Sequence, residues 1–221
     1  MAFLASSGYI RDMTVAINRR AMLAGGAAAS ASLLLPARAA RAATVTSLTP
    51  YERRVADVAI RQQSRMVGQI WQKDNVGIAD FALPSWKPRM HLVDMQAGTV
   101  RSFLLAHGKG SDFEHDGWLK RFSDEPGSEA TSRGAFRTDD WYTGKYGVSL
   151  RLAGLDPDNS TALERLIVIH PAWYAEADMI EKWGKLGRSS GCFALGRQDY
   201  ADTLMSLYGG RLLFADRIGE G

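Results

Sequence analysis

The hydrophobic pattern of the chain changes near residue 50, where apolar residues begin to recur every three or four positions. This spacing continues to about residue 72 and is typical of an amphipathic helix with one face packed on a core. Thr49, Pro50 and Glu52 form a start signal, because the Thr and Glu side chains can cap free N–H groups and Pro suits the first turn. We therefore expect a helix over residues 50–72.

Short apolar runs separated by turns follow this helix and are typical of β-strands. Residues 89–95 and 99–106 flank a turn that contains Gly98, which predicts a hairpin. Residues 107–134 are polar and rich in Gly and Ser, which predicts a long surface loop. The pattern as a whole predicts a mainly β fold with a helical N-terminal arm. Further strands are predicted at residues 135–137, 148–152, 166–169 and 211–215, and helical structure at residues 161–165 and 199–208.

The first 42 residues have the features of an export signal. Arg19 and Arg20 precede an apolar or small run over residues 21–35, and Ala-rich positions typical of a cleavage site follow it. The paired arginines resemble a twin-arginine signal, and the run is too short and too weakly apolar for a membrane span. We expect cleavage after Ala39 or Ala42, which would leave a periplasmic protein with no stable membrane anchor.

Basic charge is concentrated in this leader. The chain has 27 Lys and Arg residues and 24 Asp and Glu residues. Five of the basic residues and one of the acidic residues lie in residues 1–42, so the remainder carries 22 basic and 23 acidic residues. The pI of about 9.1 reflects the basic leader and does not indicate nucleic-acid binding, which would require a cluster of basic residues on one face of the folded protein. The oligomeric state stays open at this point.

Cys192 is the only cysteine in the chain, and it follows a turn of small residues at positions 189–191. A lone cysteine cannot form an intramolecular disulfide, and it is often a small buried hydrophobe. The small neighbours favour a different interpretation, because they let a substrate carbonyl approach a thiol closely. His170 ends the apolar run at residues 166–169, where a strand would leave it within reach of the next loop. We therefore predict Cys192 as a nucleophile and His170 as its base.

Four blocks of sequence together resemble a known enzyme family. They are residues 107–111, the Gly-x-x-Gly-x-Ser-Leu-Arg-Leu-x-Gly-Leu motif at 144–155, residues 167–170, and the Gly-Arg-Ser-Ser-Gly-Cys motif at 187–192. In this order they resemble the murein L,D-transpeptidase catalytic domain, in its YkuD-like second subfamily. The resemblance implies an L,D-transpeptidase-like β-sandwich over residues 88–218. Residues 1–42 are then the signal peptide, and residues 43–87 are a helical arm and linker.

The resemblance also implies an activity, a substrate and the absence of any cofactor or metal. Cys192 would attack the carbonyl at the third residue of a peptidoglycan tetrapeptide stem and expel D-alanine. A side-chain amine of another stem would then take the acyl group, giving a 3-3 cross-link. An L,D-carboxypeptidase or amidase of the same fold, which hydrolyses such linkages, is the alternative.

Roles can be proposed for the groups around the thiol. His170 serves as general acid and base, and the backbone N–H groups of Gly191 and Cys192 stabilise the oxyanion. Ser190 orients the histidine or caps the turn. Arg188 holds a stem carboxylate or forms a structural salt bridge, with equal weight on both interpretations.

Substrate contacts are expected on both sides of the thiol. His107 is assigned to the substrate pocket, with a structural histidine bonded to the backbone as the alternative. Ser189 and Tyr174 are also assigned to substrate binding. Residues 173–186 are expected to form a flap beside the pocket that carries aromatic side chains.

Other classes of protein stay open from the residues alone. A zinc site would draw on His107, His115, His170 and Cys192, but these lack the close spacing of known zinc motifs. A sortase-like transpeptidase also places His before Cys, but it would have a Thr-rich, β-branched strand leading into the cysteine. A non-catalytic wall-binding module is a third class, which an unreactive thiol would favour.

Overall fold

The computed structural model describes residues 48–219, and the predicted export signal lies outside them. Helix α1 spans Pro50–Arg65 and begins with the predicted capping box, in which Thr49 accepts from the Glu52 N–H and the Glu52 carboxylate accepts from the Thr49 N–H. The helix is shorter than predicted, because residues 66–69 form a turn instead. Its buried face packs on the sheet through Val55, Val58 and Ala59.

The strands of this part of the chain form one mixed sheet. In sequence they are β1 (Asn75–Asp80), β2 (Met90–Asp94), β3 (Thr99–Phe103), β4 (Gly134–Gly144), β5 (Gly147–Gly154), β6 (Val168–Pro171), β7 (Phe193–Leu195) and β8 (Leu212–Asp216). Their order across the sheet is β3-β2-β1-β8-β4-β5-β6-β7, with β1–β8 and β6–β7 parallel and the other neighbours antiparallel.

The two edges of the sheet meet. Beyond β3, the backbone of Ala106 exchanges hydrogen bonds with Ala194 of β7, and Gly108 bridges to Ser189. Pairing of both edges nearly closes the sheet into a barrel. The predicted mainly β fold with an N-terminal helix is therefore confirmed.

Two further helices connect the later strands. Helix α2 (Asp178–Trp183) precedes β7, and helix α3 (Arg197–Leu207) lies between β7 and β8, close to the predicted 199–208. Among residues 48–219 no helix is both long and apolar enough to cross a membrane.

The hydrophobic pattern does not predict β1, although this strand lies between β2 and β8 near the middle of the sheet. Its run is short and interrupted by Gly77, so it resembles the end of a helix. A Cβ at Gly77 would lie 2.8 Å from Cδ1 of Leu207 and 3.0 Å from Cδ1 of Leu213, so the glycine allows α3 and β8 to pack closely. Burial against other elements, which the local sequence does not encode, determines this strand.

The loop predicted at residues 107–134 lies only partly on the surface. The side chains of His107, Ser111, Asp112 and Thr131 are at most 1% exposed. Such burial is stable only when the polar atoms are hydrogen-bonded. Part of the loop is therefore buried, and these four polar side chains belong to a buried network, whereas other residues such as Phe113 remain exposed.

Arg89, His107 and Asp112 form the centre of this network. Arg89 is completely buried and donates to the carbonyls of Leu105 (2.8 Å) and Leu83 (2.9 Å) and to Nδ1 of His107 (2.7 Å). Because an arginine can only donate, Nδ1 accepts and the His107 proton is on Nε2, which faces Asp112 Oδ2 at 3.3 Å. We call these three side chains the buried triad. They link the residue before β2 to the connection between β3 and β4.

Two buried histidines give the folded protein a predictable response to pH. Burial lowers the pKa of His91 and of His107 to about 4, whereas an unfolded histidine titrates near 6.5. Between these values the unfolded chain binds protons that the folded chain does not, so protonation favours unfolding. We expect the free energy of unfolding to be highest above pH 6.5 and to fall toward pH 4, by more than about 1 kcal/mol per histidine.

Urea unfolding at a series of pH values measures this response. His91→Asn should reduce the slope between pH 6.5 and 4, because one of the buried histidines that contribute to it is removed. A free energy of unfolding that stayed constant or rose as the pH was lowered through this window would contradict the prediction.

Candidate active site

Parallel pairing of β6 with β7 brings His170 and Cys192 close together. His170 is the Cα partner of Ala194, and Ile169 is the partner of Phe193, so Cys192 stands just before the start of β7. Continued along the same register, Cys192 faces Val168, two residues from His170 and on the same face. Strand spacings of about 4.8 Å across and 3.3 Å along the chain put the two Cα atoms roughly 8 Å apart.

The His170 ring is held in the tautomer that a general base requires. Its Nδ1 lies 3.1 Å from the carbonyl oxygen of Pro171. A carbonyl only accepts, so Nδ1 carries the proton and the lone pair is on Nε2. The residue is 1% exposed, and burial lowers the pKa of His170 below its ordinary value. The imidazole is therefore neutral at pH 7 and can accept a proton.

The thiol of Cys192 is also neutral at rest. The residue is 8% exposed, and its Sγ donates to the carbonyl of Leu166 at 3.6 Å. Burial raises the pKa of Cys192, which a hydrogen bond from the Val168 N–H and the nearby charge of Arg165 only partly offset. The pair at rest is thus a neutral thiol and a neutral imidazole.

Leu166 has an unusual backbone conformation beside the thiol. Its φ of +56° lies in the left-handed region that favours glycine, and the residue is 72% exposed. The Leu166 N–H bonds to Leu163 O and the Ile167 N–H to Ala162 O, which ends a turn before β6. The strand predicted from residue 166 therefore begins only at Val168, and the turn directs the Leu166 carbonyl to Cys192.

The serines before Cys192 differ in their partners. Ser189 Oγ donates to the Cys192 carbonyl at 2.6 Å and accepts from the Gly191 N–H at 3.2 Å. Ser190 Oγ instead bonds to Glu129 Oε1 at 3.2 Å, and it makes no hydrogen bond to His170. Ser189 therefore organises the loop from within, and the orienting role considered for Ser190 has no support in these contacts.

The two N–H groups predicted as oxyanion donors differ in their partners. The Gly191 N–H donates to Ser189 Oγ at 3.2 Å. The N–H of Cys192 makes no hydrogen bond with any group in residues 48–219. Of the two, only the Cys192 N–H is without a partner among these residues, and the oxyanion role of both stays a prediction.

Position 191 requires glycine, because both its backbone conformation and its close neighbours disfavour a side chain. Its φ is +111°, and a Cβ would lie 2.8 Å from Ala130 O and 3.0 Å from Ile167 Cδ1. We expect Gly191→Ala to destabilise the fold by about 1–3 kcal/mol, because strain and crowding add. Thermal unfolding measures the loss.

Gly184→Ala is the matched control, since Gly184 has a φ of +72° but nothing within 4 Å of the added Cβ. Gly184→Ala should lose only the part of the stability that comes from backbone strain. Equal losses in the two variants would show that crowding around Gly191 is unimportant.

Arg188 and His107 hold the loop that leads to Cys192. Arg188 Nη1 donates to the main-chain carbonyls of Asp112 and of Phe113, the latter at 3.4 Å. Both ring nitrogens of His107 are used within the buried triad, and its carbonyl accepts from the Ser189 N–H at 2.8 Å. His107 is 1% exposed and both its ring nitrogens have partners within the protein, which favours the alternative of a structural histidine over the predicted pocket role. Arg188 forms no salt bridge with a carboxylate among residues 48–219, and its contact with a stem carboxylate stays a prediction.

Tyr174 lies beside the thiol, within the segment predicted as a flap. Burial raises the pKa of the Tyr174 hydroxyl, and negative charge on nearby Cys192 and Tyr146 adds to the shift. A Cβ at Gly187 would lie 2.6 Å from Cβ of Tyr174, so this ring packs directly on the loop that leads to Cys192. The flanking Trp173 and Trp183 are 69% and 68% exposed.

Several residues of the site escape prediction from the sequence. Arg165 is only 4% exposed in its side chain and donates to Ala130 O at 2.6 Å and Ser132 Oγ at 2.7 Å, beside Gly191. Tyr146 contacts His170 from the β4–β5 turn, inside the Gly-x-x-Gly motif. That motif was the one signal that could have indicated Tyr146. The four residues considered as zinc ligands form no metal-binding group within residues 48–219.

Comparison with known proteins identifies the family. The model of the L,D-transpeptidase catalytic domain matches residues 49–215, which is most of the chain. The protein therefore belongs to the L,D-transpeptidase catalytic domain family, as the sequence resemblance predicted. The match begins at α1, well before residue 88. No curated protein sequence matches the chain significantly.

Solved structures of similar fold come from several bacteria. They include an L,D-transpeptidase from Mycobacterium smegmatis (14% identity, TM-score 0.40, covering 65% of this chain and 58% of that one). The helical cell shape determining protein Pgp2 from Campylobacter jejuni has 11% identity and a TM-score of 0.42, covering 78% and 58%. An L,D-transpeptidase from Stackebrandtia nassauensis has 14% identity and a TM-score of 0.37, covering 74% and 66%. The chain spans about three fifths of the length of the first two.

Proposed function

We propose that this protein is a periplasmic cysteine L,D-transpeptidase that acts on peptidoglycan stem peptides through a Cys192 acyl-enzyme. Membership of the L,D-transpeptidase family supports an activity on peptidoglycan. One observation carries the cysteine mechanism: His170 stands beside Cys192 on the neighbouring strand, with Nδ1 anchored on Pro171 O and Nε2 left to accept a proton.

The first half-reaction forms a thioester. The Cys192 thiol rotates from the Leu166 carbonyl toward His170, whose Nε2 takes the proton. The thiolate attacks the carbonyl carbon at the third residue of a tetrapeptide stem, and the Cys192 N–H stabilises the oxyanion. The C–N bond then breaks, and protonated His170 gives its proton to the leaving amine of D-alanine.

The second half-reaction releases the enzyme. An amine of another stem attacks the thioester carbonyl, His170 takes a proton from that amine, and the C–S bond breaks. The Cys192 sulfur leaves as a thiolate and recovers the proton from His170. Water in place of the amine gives the hydrolytic alternative, an L,D-carboxypeptidase or amidase reaction.

Incubation of the purified protein with disaccharide-tetrapeptide muropeptides tests the proposal. Mass spectrometry should detect free D-alanine, cross-linked dimers and an acyl adduct on Cys192. Tripeptide product without dimers would support the hydrolytic alternative. If neither tripeptide, dimer nor adduct formed, the proposal would be wrong and the wall-binding module would be favoured.

Export to the periplasm is part of the same proposal, on the basis of residues 1–42. N-terminal sequencing of protein recovered from the periplasm should begin after Ala39 or Ala42. A sequence that began at Met1 or Met13, or protein found only in the cytoplasm, would contradict it.

A further inference from the structure

We propose that Tyr146 is a positioning residue for His170, holding the imidazole plane from the tip of the β4–β5 hairpin. This inference rests on the proposed function, in which His170 is the general acid and base. It concerns a residue that does not itself exchange a proton with the substrate.

The contact between the two rings is close and nearly parallel. Their centroids are 4.3 Å apart and the planes differ by 20°. Tyr146 lies in the turn between Gly144, which ends β4, and Gly147, which begins β5. The residue is 42% exposed. His170 beneath it is 1% exposed. One face of the imidazole is therefore shielded by a side chain that itself borders solvent.

This stack supplies a restraint that the backbone hydrogen bond does not. The bond from Nδ1 to Pro171 O fixes one edge of the imidazole. Rotation about the last torsion of a histidine has a broad energy profile, so a ring held at one edge can still tilt. A second ring laid against its face removes that freedom. Together the two contacts fix the direction of the Nε2 lone pair.

The route of the hairpin explains how Tyr146 reaches the site. The register of β4 with β5 shifts between Thr138 and Trp141, as at a β-bulge, and bulges bend a hairpin. The β5–β6 pairing includes only Leu150 with Ile169 and Arg151 with Val168. The hairpin tip therefore extends past the last pair of this ladder, on the side where β6 continues to His170.

The other groups around His170 do not supply this restraint. From β6 the ring meets the Pro171 carbonyl, and from the loop before β7 it faces Cys192. Tyr174 lies near Cys192 and Tyr146, and the Lys145 ammonium is 5.5 Å from the centre of the Tyr146 ring. Burial is the main cause of the lowered pKa of His170. Removing Tyr146 should therefore let the His170 pKa rise toward its ordinary value.

Tyr146→Ala and Tyr146→Phe, compared with wild type, test the inference. We expect Tyr146→Ala to lower kcat by about 10- to 100-fold with little change in KM, since a misplaced base slows the chemical step. The acid limb of the pH–rate profile should move to higher pH. Tyr146→Phe keeps the ring and should stay within about twofold of wild type. Trp141 is an exposed aromatic residue of the same hairpin, and Trp141→Ala should leave kcat and the acid limb of the pH–rate profile unchanged.

A measurement without substrate separates this inference from the proposed function. Proton NMR titration of the His170 ring, assigned with His170→Gln, should give a higher pKa in Tyr146→Ala than in wild type or Tyr146→Phe. An unchanged His170 titration in Tyr146→Ala would overturn the inference, whether or not the protein cleaves stem peptides. Equal loss of activity in Tyr146→Phe and Tyr146→Ala would also overturn it, because the hydroxyl would then be the important group.

Discussion

Replacing Cys192 with alanine is expected to abolish turnover of stem peptides, with a loss of about 10³-fold or more, because no other group can form the acyl-enzyme. Cys192 is the only cysteine, so no second thiol can substitute. The Sγ atom makes one long hydrogen bond to Leu166 O and accepts another from the Val168 N–H, and the loss of these two weak sulfur contacts should leave the fold intact. D-alanine release from muropeptides measures the activity, and thermal unfolding checks the fold.

His170→Asn provides the companion measurement. Asparagine cannot act as a base, so activity should also fall by about 10³-fold while the thiol remains. The variant should still be labelled by a thiol reagent at Cys192, although more slowly. Activity of Cys192→Ala near the wild-type level would show that the nucleophile is elsewhere.

The largest loss of stability is expected from breaking the buried triad. Arg89→Met would leave Nδ1 of His107 and the carbonyls of Leu83 and Leu105 without their donors. It would also leave the Asp112 carboxylate without its nearby positive charge. Burial of such unpaired groups costs about 3–5 kcal/mol. For a chain of this size we expect the thermal midpoint to fall by roughly 10 °C.

Arg101→Met is the matched control for this variant. Arg101 pairs with Asp202 at 3.1 Å, but both side chains are about half exposed, so the pair should contribute little. Arg89→Lys should be intermediate, since an ammonium cannot reproduce the three-way donation of the guanidinium. Equal stability of the Arg89→Met and Arg101→Met proteins would show that the triad is not a structural centre.

The same substitution should also reduce activity in the protein that stays folded. His107 accepts from the Ser189 N–H, and Arg188 donates to the Asp112 carbonyl, so the triad supports the loop that carries Cys192. In Arg89→Met protein that stays folded, Cys192 should therefore react more slowly with a thiol reagent than in wild type, or the specific activity on muropeptides should fall.

The sequence predicts that Cys192 and His170 lie close together, but not which side chains surround them. Cys192 and His170 are recognisable because each lies in a short motif whose chemistry is local. His107 lies in such a motif too, yet its side chain is turned to Arg89, eighteen residues earlier in the chain. Motifs identify which residues matter, whereas the direction of a side chain depends on packing against distant segments.

The remaining differences follow from the same cause. The β4–β5 hairpin is longer than predicted because a bulge at its centre lets a polar stretch continue as strand. Leu166 takes a left-handed conformation that a leucine avoids in short peptides, and the surrounding turn imposes it. Neither feature has a signature in the pattern of hydrophobic and polar residues.

Strand order also determines when this protein can fold. The parallel partner of β1 is β8, at residues 212–216, and β8 separates β1 from β4 in the sheet. During synthesis, the first three strands therefore leave the ribosome well before the strand that joins them to the others. Contacts so distant in sequence form slowly. We infer that the sheet is completed only after β8 has been translated. Until then the edges of β1 and β4 that pair with β8 lack their partner strand and are open to aggregation.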